Sequence, residues 1–189
     1  MKRIFLFFAL LLSGLTAGAQ VIVLNESGEY ERKEVVTVDS VSAAVLYDRA
    51  MLALTDWSGA DGKAKAGIDY QNQETHTVVY KGRFYAGSRS WMMTKIERYA
   101  NFTVKVRCKD GRAQVTVNVP TLTAVVASNG RSQTWNLGDA VKELEKTSGK
   151  RREQGEEAVA YITGNADMIL AAMKRALSGS GDGGDEDDF

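Results

Sequence analysis

The chain has 189 residues, and its 24 basic and 24 acidic side chains give a formal net charge of zero. Apolar residues make up 44% of the sequence and charged residues 25%. This is the composition of a globular protein, and it excludes a fibrous chain and a wholly disordered one. One cysteine and one histidine leave no disulfide framework and no cysteine-rich metal site. We predict a chain with no metal, no cofactor and no assigned catalytic residue.

The N-terminus carries the pattern of an export signal. Lys2 and Arg3 precede an apolar run, Ile4–Leu12, and Ala17–Ala19 form a small-residue cleavage pattern. The run is shorter than the roughly 20 residues needed to span a bilayer. We therefore predict a signal peptide over residues 1–19, and an exported mature chain without a transmembrane segment. Its expected location is the periplasm or cell envelope, or the outside of the cell.

The rest of the sequence divides into one domain and a tail. Residues 20–177 have the mixed pattern of a single folded domain, whereas 178–189 contain mainly Gly, Ser and acidic residues. Such a composition cannot form a core and predicts a disordered acidic tail. The tail holds five acidic residues, namely Asp182, Asp185, Glu186, Asp187 and Asp188.

Two helices with apolar stripes are expected, one at each end of the domain. Ser42 is a plausible N-cap for a helix that continues to Leu54. Apolar residues at helical spacing predict a second helix over Glu156–Leu177. A short helix over Leu137–Glu145 and a basic, polar linker over Thr147–Gln154 lie before it.

Strands fill the middle of the domain, and the clearest of them form a hairpin. Asp110-Gly111 predicts a two-residue turn with positive φ at both positions. Pro120 cannot donate to a strand ladder and marks an edge or a bulge. The predicted pairs of the hairpin are Cys108–Ala113, Val106–Val115, Val104–Val117 and Phe102–Val119. Other expected strands are Glu34–Val38, Lys65–Tyr70, Thr75–Tyr85 and Trp91–Tyr99.

The two residues most often used in catalysis have ordinary structural interpretations here. His76 lies at a strand start, with no nucleophile motif in the sequence to accompany it. Cys108 is in phase with the buried face of the hairpin, where a free thiol behaves as a small hydrophobe. We assign neither of them to catalysis.

The polar face of the predicted sheet is the main candidate site. If helices cover the apolar face, basic side chains from neighbouring strands share the other one. Such a face can bind an anionic ligand or an acidic envelope protein. The alternative is a solvated face on which the charges only limit aggregation. The candidate ligand-binding residues are Lys81, Arg83, Lys105, Arg107, Lys109 and Arg112.

The order of these motifs resembles domain-of-unknown-function family 4468, which has a TBP-like fold and occurs in exported bacterial envelope proteins. The resemblance covers Glu34 to Val119. It implies an α+β fold, a curved antiparallel β-sheet with helices packed on one face, and it implies no catalytic residues. The matching segments are Glu34–Asp39, Val41-Ser42, Leu46–Ala50, Trp57, Phe102–Lys109 and the Lys109–Arg112 turn with the strand after it.

Three hypotheses about function follow. The first is a non-enzymatic binding module of the cell envelope whose partner is an envelope protein or an anionic ligand. Nucleic acid is not expected, since the net charge is near zero. The second is an envelope hydrolase whose carboxylates, Asp48 with Asp69 or Glu74, converge. The third is a structural protein that self-associates through an edge strand at Pro120–Val126.

Overall fold

The structure is a computed structural model, and it describes residues 22–60, 66–91 and 94–179. The predicted signal peptide over residues 1–19 lies outside the described residues. So do residues 180–189 of the predicted acidic tail. Ser178 and Gly179 are described, and they form the end of the last helix.

Six strands and three helices make up the described chain. The predicted types of all the main elements are confirmed, although several boundaries differ. The elements are β1 (Tyr30–Thr37), α1 (Ala43–Ala60), β2 (Gly67–Asn72), β3 (Thr77–Trp91), β4 (Thr94–Lys109), β5 (Arg112–Val126), β6 (Ser132–Asn136), α2 (Leu137–Glu145) and α3 (Lys150–Ser178).

All strand pairs are antiparallel, and they form one sheet in the order β1-β5-β4-β3-β2, with β6 also paired to β5. The core lies where α1 and α3 pack on one face of this sheet. Leu46 of α1 and Met173 of α3 are fully buried there, against strand residues such as Val104 and Val117. The predicted α+β fold, an antiparallel sheet with helices on one face, is confirmed.

The helices are longer than the apolar periodicity indicates. α3 begins at Lys150, so most of the predicted linker Thr147–Gln154 belongs to the helix. This first turn has no apolar stripe, but lysine, arginine and glutamate are good helix formers. Likewise α1 continues beyond Leu54 to Ala60. A pattern search finds only the part of a helix that packs on the core.

The β4–β5 hairpin forms in the predicted register from Thr103 to Lys109. The register then shifts between Asn101 and Thr103, so the predicted Phe102–Val119 pair is replaced by a bulge. This shift adds one residue to β5 next to Pro120. β5 pairs with β1 up to Val119 and with β6 from Thr121 onwards. The proline therefore lies where the strand changes partner, at a point where no donor is required.

The turn of this hairpin has a different geometry from the predicted one. Gly111 has a φ of 73°, but Asp110 is not among the residues with positive φ. Contacts with the start of α1 account for the difference. The Asp110 carboxylate accepts a hydrogen bond from the Ala43 N–H at 2.8 Å, and Gly111 N–H donates to the Val41 carbonyl at 2.8 Å. The turn therefore caps a helix that lies far away in sequence.

Replacing Asp110 with alanine should lower the free energy of unfolding by about 1 kcal/mol, because α1 loses the acceptor for a terminal N–H. Urea denaturation followed by circular dichroism measures this change. Asp39→Ala is the matched control, since Asp39 is exposed and close to the same helix start. Equal losses in the two variants would show that the cap contributes nothing.

Candidate functional site

All six predicted site residues lie on the sheet face that the helices leave open. On β3, Lys81 and Arg83 alternate with the buried Tyr80 and Gly82. The ladder places β4 residues such as Lys105, opposite Val79, on the same face. Each of the six side chains is exposed. The predicted face therefore exists, but its charges do not form one cluster.

Three of the six residues surround a single concavity, which we call the hairpin depression. Arg107 and Lys109 come from the end of β4, and Arg112 comes from the start of β5. The depression has a volume of about 510 Å³. Thr75, Thr77 and Gln114 also line it, and the Arg107 guanidinium donates a hydrogen bond to the Gln114 side-chain oxygen.

The charges of the hairpin depression are not neutralised by neighbouring acidic side chains. Among the described residues, no carboxylate lies within ion-pair distance of Arg107, Lys109 or Arg112. Lys109 and Arg112 also stand directly opposite each other in the ladder. Like charges in this position are destabilising. A bound anion would remove that repulsion.

The other three predicted residues have different surroundings. Lys81 forms an ion pair with Asp69 at 3.0 Å. The Arg83 guanidinium lies 5.0 Å from the centre of the Tyr99 ring, in the geometry of a cation–π contact. Lys105 lies opposite Val79 on β3 and Thr116 on β5. None of these three lines the hairpin depression.

Cys108 reaches the hairpin depression from the buried side of β4. Burial raises the pKa of its thiol to about 11, so the thiol is protonated at neutral pH and is a poor nucleophile. The Cys108 N–H donates to the His76 carbonyl at 3.0 Å, and the His76 ring lies edge-on to Tyr47. His76 itself has a φ of 46°, which ends a tight turn before β3. Both contacts fit the structural interpretation of these residues.

The geometry does not support the carboxylate hypothesis. Asp69 forms an ion pair with Lys81, and neither Asp48 nor Glu74 lines the hairpin depression. No group of three potential metal ligands among His, Cys, Asp and Glu occurs in the described part of the chain.

The prediction that Pro120–Val126 forms an edge strand is wrong. Thr121–Val125 pairs with β6 on one side and with β4 on the other, so this segment has no free edge for self-association.

A second concavity, missed by sequence reasoning, lies between β3 and α3. We call it the tyrosine groove. It has a volume of about 1030 Å³, and Tyr85, Tyr99 and Tyr161 supply its aromatic surface. The Tyr85 ring lies edge-on to both of the others, at centroid distances of 6.1 Å from Tyr99 and 5.6 Å from Tyr161. The only feature of the sequence that points to this groove is the position of Tyr161, an aromatic residue outside the buried stripe of α3.

The sheet order, the helices on one face and the open second face define an α+β protein of the TBP-like class. The family model described as "Domain of unknown function (DUF4468) with TBP-like fold" matches residues 33–122. This range of the chain is therefore similar to the family, in agreement with the resemblance between Glu34 and Val119. No curated protein matches the sequence.

Several solved structures are similar to this chain, and two of them have titles that name the family or its fold. A DUF4468 family protein from Bacteroides ovatus has a TM-score of 0.56 at 13% identity, covering 84% of this chain and 91% of that one. A TBP-like protein from Parabacteroides distasonis has a TM-score of 0.56 at 11% identity, covering 82% and 96%. At these identities the similarity shows the fold alone. None of the described helices is both long and apolar enough to cross a membrane.

Proposed function

We propose that the protein is a non-enzymatic binding module of the bacterial cell envelope that holds an anionic ligand in the hairpin depression. One observation carries the proposal: Arg107, Lys109 and Arg112 surround one concavity and have no acidic partner among the described residues. The signal-peptide pattern over residues 1–19 supports the envelope location.

The chemistry of the lining suits a carboxylate or phosphate group. A guanidinium presents paired N–H donors that match two oxygens of such a group, and a lysine adds a mobile positive charge. The hydroxyl group of Thr75 supplies a further donor in the lining, whereas that of Thr77 already donates to the Thr75 carbonyl at 3.1 Å. The Lys109–Arg112 repulsion costs stability in the free protein, and an anion converts it into attraction.

Charge reversal of the depression tests this proposal. The bait is the mature chain, Gln20–Phe189, cross-linked to partners in an envelope extract. We expect Arg107→Glu/Lys109→Glu/Arg112→Glu to reduce capture of the principal species by tenfold or more. Each charge-assisted hydrogen bond contributes about 1.5–3 kcal/mol, and about 1.4 kcal/mol is a factor of ten in affinity.

A matched control carries three reversals elsewhere on the surface, Arg131→Glu/Lys150→Glu/Arg151→Glu. These residues are exposed and line neither concavity. The control should capture the same species as the native chain, because its net charge changes equally. Equal capture by the depression variant would contradict the site. Absence of any captured species with the native bait would contradict the binding-module function.

A further inference from the structure

The tyrosine groove reaches the edge of β3. Arg83, Phe84 and Tyr85 are consecutive residues of this strand, and all three line the groove. Successive side chains of a strand point to opposite faces of a sheet. Beside these three residues β3 has no pairing with β2, whose ladder with β3 ends at Lys81. The groove is therefore bounded by a strand edge on one side and by α3 on the other.

This edge has no strand partner along part of its length. β2 pairs with β3 only from Thr77 to Lys81. Within the described ranges, the segment Tyr85–Ser90 pairs with β4 alone, and a bulge interrupts that pairing between Tyr85 and Ser88. An unpaired edge presents backbone donors and acceptors to any extended chain that approaches it.

The walls of the groove suit apolar side chains. Tyr85 and Tyr161 are each partly exposed, and Met168 of α3 is largely exposed. Gly164 adds an open position on the same helix, because a Cβ atom there would meet nothing within 4 Å. Burial of this apolar surface under a ligand would favour binding.

Arg83 and Glu157 are the charged residues that line the groove, and two further arginines, Arg98 and Arg89, lie beside it. The Arg98 side chain is only 12% exposed, and its nearest carboxylate, Glu157, lies 4.0 Å away. The Nε and Nη2 atoms of Arg98 are buried and have no hydrogen-bond acceptor within the described structure. Burial lowers the pKa of this guanidinium, which still remains charged at neutral pH. Arg89 on β3 is exposed near the same edge. An acidic group in the ligand would complement these charges.

We propose that the tyrosine groove binds an extended peptide segment of a partner protein, which adds to the Tyr85–Ser90 edge of β3 as a further strand. Backbone hydrogen bonds to the edge hold the segment, and alternate apolar side chains enter the groove. An acidic residue of the segment lies toward Arg98 and Arg89. This site is separate from the hairpin depression and needs neither its residues nor its ligand.

The test selects binders from a displayed library of random ten-residue peptides, with the mature chain as target. We expect enriched sequences that alternate apolar residues and contain more Asp and Glu than the library. Methylating the backbone nitrogens of one enriched peptide, one at a time, should abolish binding at every second position, because only alternate amides face β3. No enrichment, or an N-methyl scan without this period of two, would overturn the proposal.

Two substitutions locate the peptide on the protein. Gly164→Leu adds a bulky side chain at a lining position where a Cβ atom would meet nothing within 4 Å, and we expect it to weaken peptide binding by tenfold or more. The melting temperature should not fall, because leucine is a better helix former than glycine. Ala171→Leu is the matched control, an exposed position on the same helix that does not line the groove. The triple charge-reversal variant of the hairpin depression should bind the peptide normally. Binding that Gly164→Leu leaves unchanged would place the peptide elsewhere and overturn the proposal.

Discussion

Replacing Leu46 with alanine should lower the free energy of unfolding by about 3 kcal/mol. Leu46 is 0% exposed and lies on the face of α1 that packs against the sheet. Truncation removes buried methyl groups and leaves a cavity, and both effects destabilise the native state, by about 2–5 kcal/mol for this kind of change. Chemical denaturation measures the loss as a lower midpoint concentration, with an unchanged dependence of the free energy of unfolding on denaturant concentration (the m value).

Leu52→Ala on the same helix is the control. Leu52 is 67% exposed, so the same atoms are removed without opening a cavity in the core. We expect a change of less than about 0.5 kcal/mol, as for most surface substitutions. Similar losses in the two variants would mean that α1 does not pack on the sheet through Leu46.

Raising the pH from 8 to 11 should reduce stability by about 2–3 kcal/mol through Cys108 alone. Burial raises the pKa of this thiol from 9.0 to about 11 in the folded protein. The unfolded chain loses the proton first, so alkaline pH favours unfolding. The contribution is fully present below pH 9 and is lost as the pH rises through 11. Two pKa units correspond to about 2.7 kcal/mol.

Cys108→Ala removes this ionisation and provides the comparison. Its stability should fall less steeply than that of the native chain between pH 9 and 11. Some decline remains, because burial also raises the pKa values of Tyr30 and Tyr47 and these tyrosines act in the same direction. Parallel pH profiles for the two chains would show that the thiol is not buried in the native state.

The sequence predicts the parts of this fold that depend on local chemistry. The register of the β4–β5 hairpin follows from the alternation around Asp110-Gly111, because a shift by one residue would expose every apolar side chain. The turn geometry could not be predicted in the same way. It depends on the contacts of Asp110 with Ala43 and of Gly111 with Val41, which bring together segments far apart in sequence.

The candidate site shows the same division. Alternation along β3, β4 and β5 correctly places the six basic residues on one face. It cannot show that Arg107, Lys109 and Arg112 share a depression, while Lys81 is paired with an aspartate. That separation depends on strand pairing and on the position of Asp69 in β2. The tyrosine groove was missed because Tyr161 and Tyr85 come from elements whose contact no periodicity reveals.

The change of partner at Pro120 has a consequence for the order in which the sheet assembles. β3, β4 and β5 follow one another in the chain, so their pairing closes only short loops. β1 must pair with Arg112–Val119, across three intervening strands and a helix. Closing a longer loop costs more chain entropy, and non-local pairing slows folding. We therefore expect the second half of β5 to pair early with β6, the next strand in the chain, and the first half to pair late with β1, which is distant in sequence.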